Sequence, residues 1–138
     1  MMTDSQLVLV DTNVLLDVIE LDQEWTTWSE NQMSQLAGRM IINPLIYAEL
    51  AYTATSTEEV DLILITLGLG FQNLSRKTLF LASQAYQLYR SRGGTKSAPL
   101  PDFFIGAHAA ALGVPILTRD TTRYRTYFPT VTLISPTQ

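Results

Sequence analysis

Short, unbroken apolar runs alternate along this chain with longer stretches in which apolar positions recur every three or four residues. Leu7-Val8-Leu9-Val10 and Met40-Ile41-Ile42 are of the first kind, the pattern of strands buried on both faces. After the first run, Asp11-Thr12-Asn13 supplies residues that favour turns and helix starts, and Val14 to Leu21 reads as a helix. A second helix is predicted from Glu24 to Leu36, ending near Gly38. Asn43-Pro44 opens a third, with the proline suited to a first turn, running to Ala54. Ser56-Thr57-Glu58-Glu59 has the composition of a helix start ahead of the periodic stretch Val60 to Leu67. Phe71 to Leu74 predicts a short strand, and Ser75 precedes a long helix, Arg76 to Arg92, stopped by Gly93-Gly94. Thr95 to Pro101 reads as a loop and alanine-rich Asp102 to Leu112 as a helix. Pro115 to Thr118 is the next strand, Arg119-Asp120 a turn, and Val131 to Ile134 the last strand.

Strands alternating with helices predict an α/β domain, with a mostly parallel sheet of four or five strands sandwiched between helices. No repeat, low-complexity tract or linker interrupts residues 1–138, a length that fits one domain. In such sheets the functional crevice lies outside the carboxyl ends of the strands. Asp11 directly follows the first strand, and Glu49 lies on the helix after the second. Asp102 starts the helix leading into the fourth strand, and Asp120 stands two residues beyond Thr118. The connectivity allows these acids one meeting place.

Composition narrows the chemistry. Nearly half the residues are apolar (46%) and only 16% are charged, which predicts a buried core rather than disorder. The chain has no cysteine and a single histidine, His108, which excludes disulfides, thiolate metal sites and sites built from several imidazoles. Any metal must be held by oxygen. Met1-Met2-Thr3-Asp4 has neither the basic start nor the apolar stretch of a signal peptide. No uncharged apolar run reaches the ~20 residues that span a bilayer, so the expectation is a cytoplasmic protein without a membrane partner.

The net charge of −4 argues against a generic nucleic-acid binder, but it is unevenly spread. Up to Asp61 there are eleven acids and one base, Arg39; from Arg76 onward there are eight bases and two acids, Asp102 and Asp120. Asp11, Glu49 and Asp102 are each the sole formal charge in a long neutral segment. Each has a structural alternative: Asp11 as a helix cap, Asp102 as a favourable charge at a helix start, Glu49 as a solvated neighbour of an apolar face, Asp120 as a turn residue. Together they point elsewhere. A partly buried carboxylate is expensive unless paired or metal-bound, and two like charges ~4 Å apart repel by about 4 kcal/mol at an effective dielectric of ~20. Hard cations such as Mg²⁺ and Mn²⁺, which prefer carboxylate and water oxygens, would compensate. His108 lies six residues beyond Asp102, ~240° around the helix, and is expected to be packed rather than catalytic. Trp25, Trp28, Tyr86 and Tyr89 fit helical spacing and are expected in core or subunit contacts rather than as base-stacking platforms.

At these acids the chain resembles a known family. Leu9-Val10-Asp11-Thr12-Asn13-Val14-Leu15-Leu16-Asp17, the segment around Glu49, Pro101-Asp102-Phe103-Phe104-Ile105-Gly106-Ala107-His108-Ala109 and Ile116-Leu117-Thr118-Arg119-Asp120 are similar to the motifs of PIN-domain nucleases, above all the VapC toxins of prokaryotic toxin–antitoxin pairs. The resemblance covers practically the whole chain, in order and spacing. It implies a three-layer α/β/α fold, a homodimer, Mg²⁺- or Mn²⁺-dependent RNA cleavage, and a small cognate antitoxin that occludes the site. Asp11, Glu49, Asp102 and Asp120 match the acidic quartet as metal ligands and catalytic groups, and Asn13 and Thr118 match supporting polar positions. Many relatives have asparagine where Asp120 stands and an aspartate shortly after; here Thr121-Thr122-Arg123-Tyr124 follows, with no acid. Arg119, Arg123 and Arg125 are candidates to hold neighbouring RNA phosphates.

Two rival readings stand beside this one. A phosphatase using Asp11 as nucleophile usually needs a second acid two residues on, where Asn13 stands, and a nearby lysine, for which only Lys77 and Lys96 exist. A non-catalytic relative that grips RNA or a protein would be favoured by loss of a carboxylate, and none is plainly lost.

Overall fold

A computed structural model describes residues 6–94 and 100–136. Five strands form one all-parallel sheet in the order β3-β2-β1-β4-β5. They are β1 (Val8–Val10), β2 (Met40–Ile42), β3 (Gly70–Phe71), β4 (Ile116–Leu117) and β5 (Leu133–Ile134). Every residue of β1, β2 and β4 is buried, whereas the edge strands are half-buried or exposed. Inner strands that are apolar on both faces must be covered on both, and helices do so, giving the predicted α/β/α sandwich.

The first three strands are linked by α1 (Thr12–Ile19) and α2 (Thr26–Gln35), then α3 (Pro44–Ala51) and α4 (Thr57–Leu67). The chain returns to the other side of β1 through α5 (Arg76–Ser91) and α6 (Leu100–Leu112), and α7 (Thr122–Tyr127) joins β4 to β5. Caps predicted from local chemistry are present: the side chains of Asn43, Ser56 and Ser75 accept from the backbone N–H three residues on.

The structure corrects the sequence reading in three places. Leu100 and Pro101 belong to α6 rather than to a loop, because proline is at home in a first turn; the rest of the predicted loop, residues 95–99, lies outside the described residues. Asp102 is therefore the third residue of that helix, not its first. The segment after Asp120 contains a helix, α7, which lacks an aliphatic stripe and docks instead through Tyr124 and, just past its end, Phe128. The predicted strand Phe71–Leu74 is shorter and earlier, Gly70–Phe71.

Strand order reverses between β1 and β4, which pair with Leu9 opposite Ile116 and Val10 opposite Leu117. Such a reversal opens a crevice beyond the carboxyl ends of the two strands. Asp11 and Thr118 are the next residues after them. Both are buried.

Candidate functional site

The site grows outward from Asp11. Its extended backbone caps α1, and Oδ1 accepts from the Thr12 N–H at 2.8 Å. Oδ2 accepts from the hydroxyls of Thr118 and Tyr124, each at 2.9 Å, and from the Asn13 amide at 3.5 Å. Asp11 is thus both a helix cap and the centre of a polar cluster. Even so, burial, which outweighs these donors, raises its carboxyl above the usual range, and Glu49 adds to the rise.

Glu49 stands on α3, on an exposed position, and accepts from the Thr12 hydroxyl at 2.6 Å. Asp102, half-buried on α6, accepts from Arg123 Nη1 at 2.8 Å. Burial and then the charge of Asp11 push Asp102 up to about 6, with Asp120 contributing and Arg123 pulling the other way. Asp120 is exposed in the loop after β4, where its N–H donates to the Thr118 hydroxyl at 3.0 Å. Tyr124 is held well above its ordinary value by burial and by Asp11, Asp102 and Asp120, so it remains a neutral phenol that donates. The carboxylates therefore sense one another across the crevice. They do not form a closed cage: among the described residues no three Asp, Glu or His side chains make a cation-holding group. Glu49 is drawn to Thr12 and Asp102 to Arg123, which relieves part of the mutual repulsion.

The donor set nonetheless fits a hard divalent cation. Only oxygen is on offer, and burial, with neighbouring carboxylates adding to it, leaves Asp11 and Asp102 holding their negative charge at a cost that a cation would relieve. The sole histidine takes no part. His108 is buried, and its Nδ1 accepts from Asn43 Nδ2 at 3.2 Å, because Asn43 Oδ1 already accepts from the Ile46 N–H. Burial lowers its pKa, so it is a neutral packing residue.

Asn13 and Thr118 lie beside Asp11: Asn13 donates to Thr118 and accepts from the Arg119 N–H at 3.2 Å. The three arginines have different positions. Arg119 is tied to buried Asp17 by two hydrogen bonds, 2.7 and 2.9 Å, and lies over the Trp25 ring, while Ser29 also donates to Asp17. Arg123 lies on Asp102, and Arg125 is exposed. Tyr86 and Tyr89 pack against Phe103 in the core region, and Trp25 edge-on to Trp28. Sequence reasoning missed Thr12, Tyr124 and the Asp17–Arg119 pair. The four-residue spacing of Tyr124 and Phe128 was the available signal for the second of these.

The family model for the PIN domain matches residues 8–129, from β1 past α7. The chain belongs to the PIN-domain family. Among solved structures, VapBC2 from Rickettsia felis, bound to a DNA fragment from its promoter, has a chain similar at TM-score 0.73 and 19% identity, over 96% of this chain and 100% of that one. A toxin–antitoxin complex from Klebsiella pneumoniae matches at TM-score 0.70 and 20% identity, covering 95% and 98%. DNA-bound VapBC from Salmonella typhimurium matches at 0.71 and 16%, covering 94% and 98%. At such identities the likeness speaks for the shared fold. No curated protein matches this PIN-domain chain in sequence, and none of its described helices is long and apolar enough to cross a membrane.

Proposed function

We propose that this PIN-domain protein is the toxin of a toxin–antitoxin pair, a Mg²⁺- or Mn²⁺-dependent endoribonuclease acting through Asp11, Glu49, Asp102 and Asp120. The observation that carries the reading is buried Asp11 at the end of β1, held by Thr12, Thr118 and Tyr124 and electrically coupled to Glu49 and Asp102. A bound divalent cation would supply Lewis-acid stabilisation of phosphate charge and make water a better nucleophile near neutral pH. Asp11 and Asp102 would hold it, with Glu49 and Asp120 completing the shell or orienting water. Asn13 and Thr118 keep the Asp11 carboxylate and the loop after β4 in register. Buried Tyr124 donates to the same carboxylate. Arg123 and Arg125 would engage RNA phosphates; Arg119 is committed to Asp17.

The similar structures from Klebsiella pneumoniae and Salmonella typhimurium, described as a toxin–antitoxin complex and DNA-bound VapBC, support a cognate antitoxin as partner, and the proposal is that this partner occludes the site. Exposed apolar side chains such as Leu62, Ile65 and Phe80 are suited to protein contacts, with an antitoxin or with a second copy in a homodimer. Incubation of the protein with structured RNA and Mg²⁺ should give cleavage that Asp11→Asn abolishes; equal cleavage by the variant would remove the support. A generic phosphomonoester should be left intact, in contrast to the phosphatase reading.

The open arrangement of the acids favours one alternative, a non-catalytic RNA- or protein-binding module. Calorimetry with Mn²⁺ separates the two: the nuclease reading requires binding that Asp102→Asn weakens severely.

A further inference from the structure

Arg123 occupies a singular place. Among the described residues it is the one cationic side chain hydrogen-bonded to any of the four site acids, since the other ion pair, Arg119–Asp17, lies beside the site. Its guanidinium sits 5.6 Å from the centre of the Phe103 ring and 5.7 Å from that of Tyr89, and its side chain is 23% exposed. Two aromatic rings and one carboxylate oxygen define a resting position without immobilising the group. The contact uses only Nη1 and Asp102 Oδ2, a single hydrogen bond rather than the two-pronged grip that Arg119 makes on Asp17. A one-pronged, partly solvated pair is the weaker of the two and the easier to exchange.

Any cation arriving at Asp102 meets this positive charge first. The two compete for one carboxylate, and a guanidinium displaced from it remains at the mouth of the crevice, three residues beyond Asp120. Its planar donors match phosphate oxygens as well as they match a carboxylate. We propose that Arg123 is an exchange residue: it neutralises Asp102 while the site lacks a cation, gives up that carboxylate when the cation binds, and then holds a phosphate of the RNA next to the bond that is cut. The inference rests on the nuclease reading above and adds to it the exchange of partners by which Arg123 is released from Asp102 to the substrate. One guanidinium thus offsets part of the acids' charge while the cation is away.

The test separates metal affinity from turnover. Mn²⁺ titrated calorimetrically into the purified protein, without RNA, should bind Arg123→Gln more tightly than the parent by about tenfold or more, because a competing like charge has gone. Arg123→Lys, which keeps the charge, should stay within a few-fold of the parent. Cleavage at saturating Mn²⁺ should move the opposite way, with kcat of Arg123→Gln lower by on the order of 10². A merely structural arginine would not raise affinity and lower turnover together. Unchanged or weaker Mn²⁺ binding by Arg123→Gln overturns the proposal while leaving the nuclease reading intact, as does cleavage equal to or faster than the parent's. Absence of Mn²⁺ binding by the parent overturns both. In the unmutated protein, side-chain ¹⁵N signals of Arg123 should shift on adding diamagnetic Mg²⁺; no shift would mean that the guanidinium never leaves Asp102.

Discussion

Replacing Asp102 with asparagine should make the cation-free protein more stable at neutral pH, although it removes an ion pair. The carboxyl sits at about 6 in the folded chain against an ordinary 3.8, so near neutral pH the fold carries a charge that it holds less comfortably than the unfolded chain does. At 1.36 kcal/mol per pH unit this cost is about 3 kcal/mol, reduced to about 2–3 by solvent reaching the partly exposed side chain. The sign follows from proton counting. Between pH 4 and pH 6 the native state keeps the proton that the unfolded state has lost, so this group's contribution to stability falls as pH rises. Asparagine does not titrate, and its oxygen can still accept from Arg123. Urea unfolding in EDTA at pH 4 and pH 7.5 should therefore show the stability of Asp102→Asn, relative to the parent, rising by about 2–3 kcal/mol over that interval. Asp11 titrates in both proteins and largely cancels. Added Mn²⁺ should reverse the ranking at pH 7.5, since cation at a hundredfold excess over Kd returns about 2.7 kcal/mol to whichever protein binds it. A difference that is flat with pH, or an asparagine variant less stable at pH 7.5 without cation, would refute the charge accounting at this site.

Tyr124→Phe deletes a hydroxyl donor to buried Asp11 and should cost about 1.5–3 kcal/mol at pH 8, less as falling pH protonates Asp11, whose carboxyl burial raises, as read by denaturant unfolding. Gly106→Ala places a methyl group 2.3 Å from a ring carbon of buried Phe128, so α6 or the ring must shift; a loss of about 1–3 kcal/mol by the same assay is expected. Arg119→Ala strips Asp17, 3% exposed, of its charge partner and leaves Ser29 as its hydrogen-bonding side chain; thermal unfolding should show a loss of about 3 kcal/mol. Thr12→Val frees Glu49 while changing stability by only about 1 kcal/mol, and RNA cleavage assays should show a larger loss than that figure implies.

Much of this molecule is legible in the order of its residues. The runs at Val8–Val10 and Met40–Ile42 announce inner strands because only helices on both sides satisfy them, and Asn43, Ser56 and Ser75 announce helix starts because their side chains satisfy free N–H groups locally. Short-range physics explains those successes and also the failure at α7. A six-residue helix reading Thr-Arg-Tyr-Arg-Thr-Tyr has no aliphatic period, and what holds it is Tyr124 reaching Asp11, 113 positions away. The acids were visible as isolated charges in neutral segments. Their partners were not, because whether an arginine turns to RNA, to Asp17 or to Asp102 depends on separations of 102 and 21 residues that only the fold sets.

The sheet order has a temporal side. β1 is made first, yet one of its two neighbours, β4, comes more than a hundred residues later, and Thr118 closes on Asp11 across 107 positions. A chain still being synthesised as far as α3 holds Asp11 and Glu49 but neither Asp120 nor the strand that seats it, so on the proposed reading a growing polypeptide is chemically mute. On the proposed reading, competence arrives in one step, when β4 slides in beside β1. For a protein proposed to cut RNA, that order of assembly shields the ribosome and message that are making it.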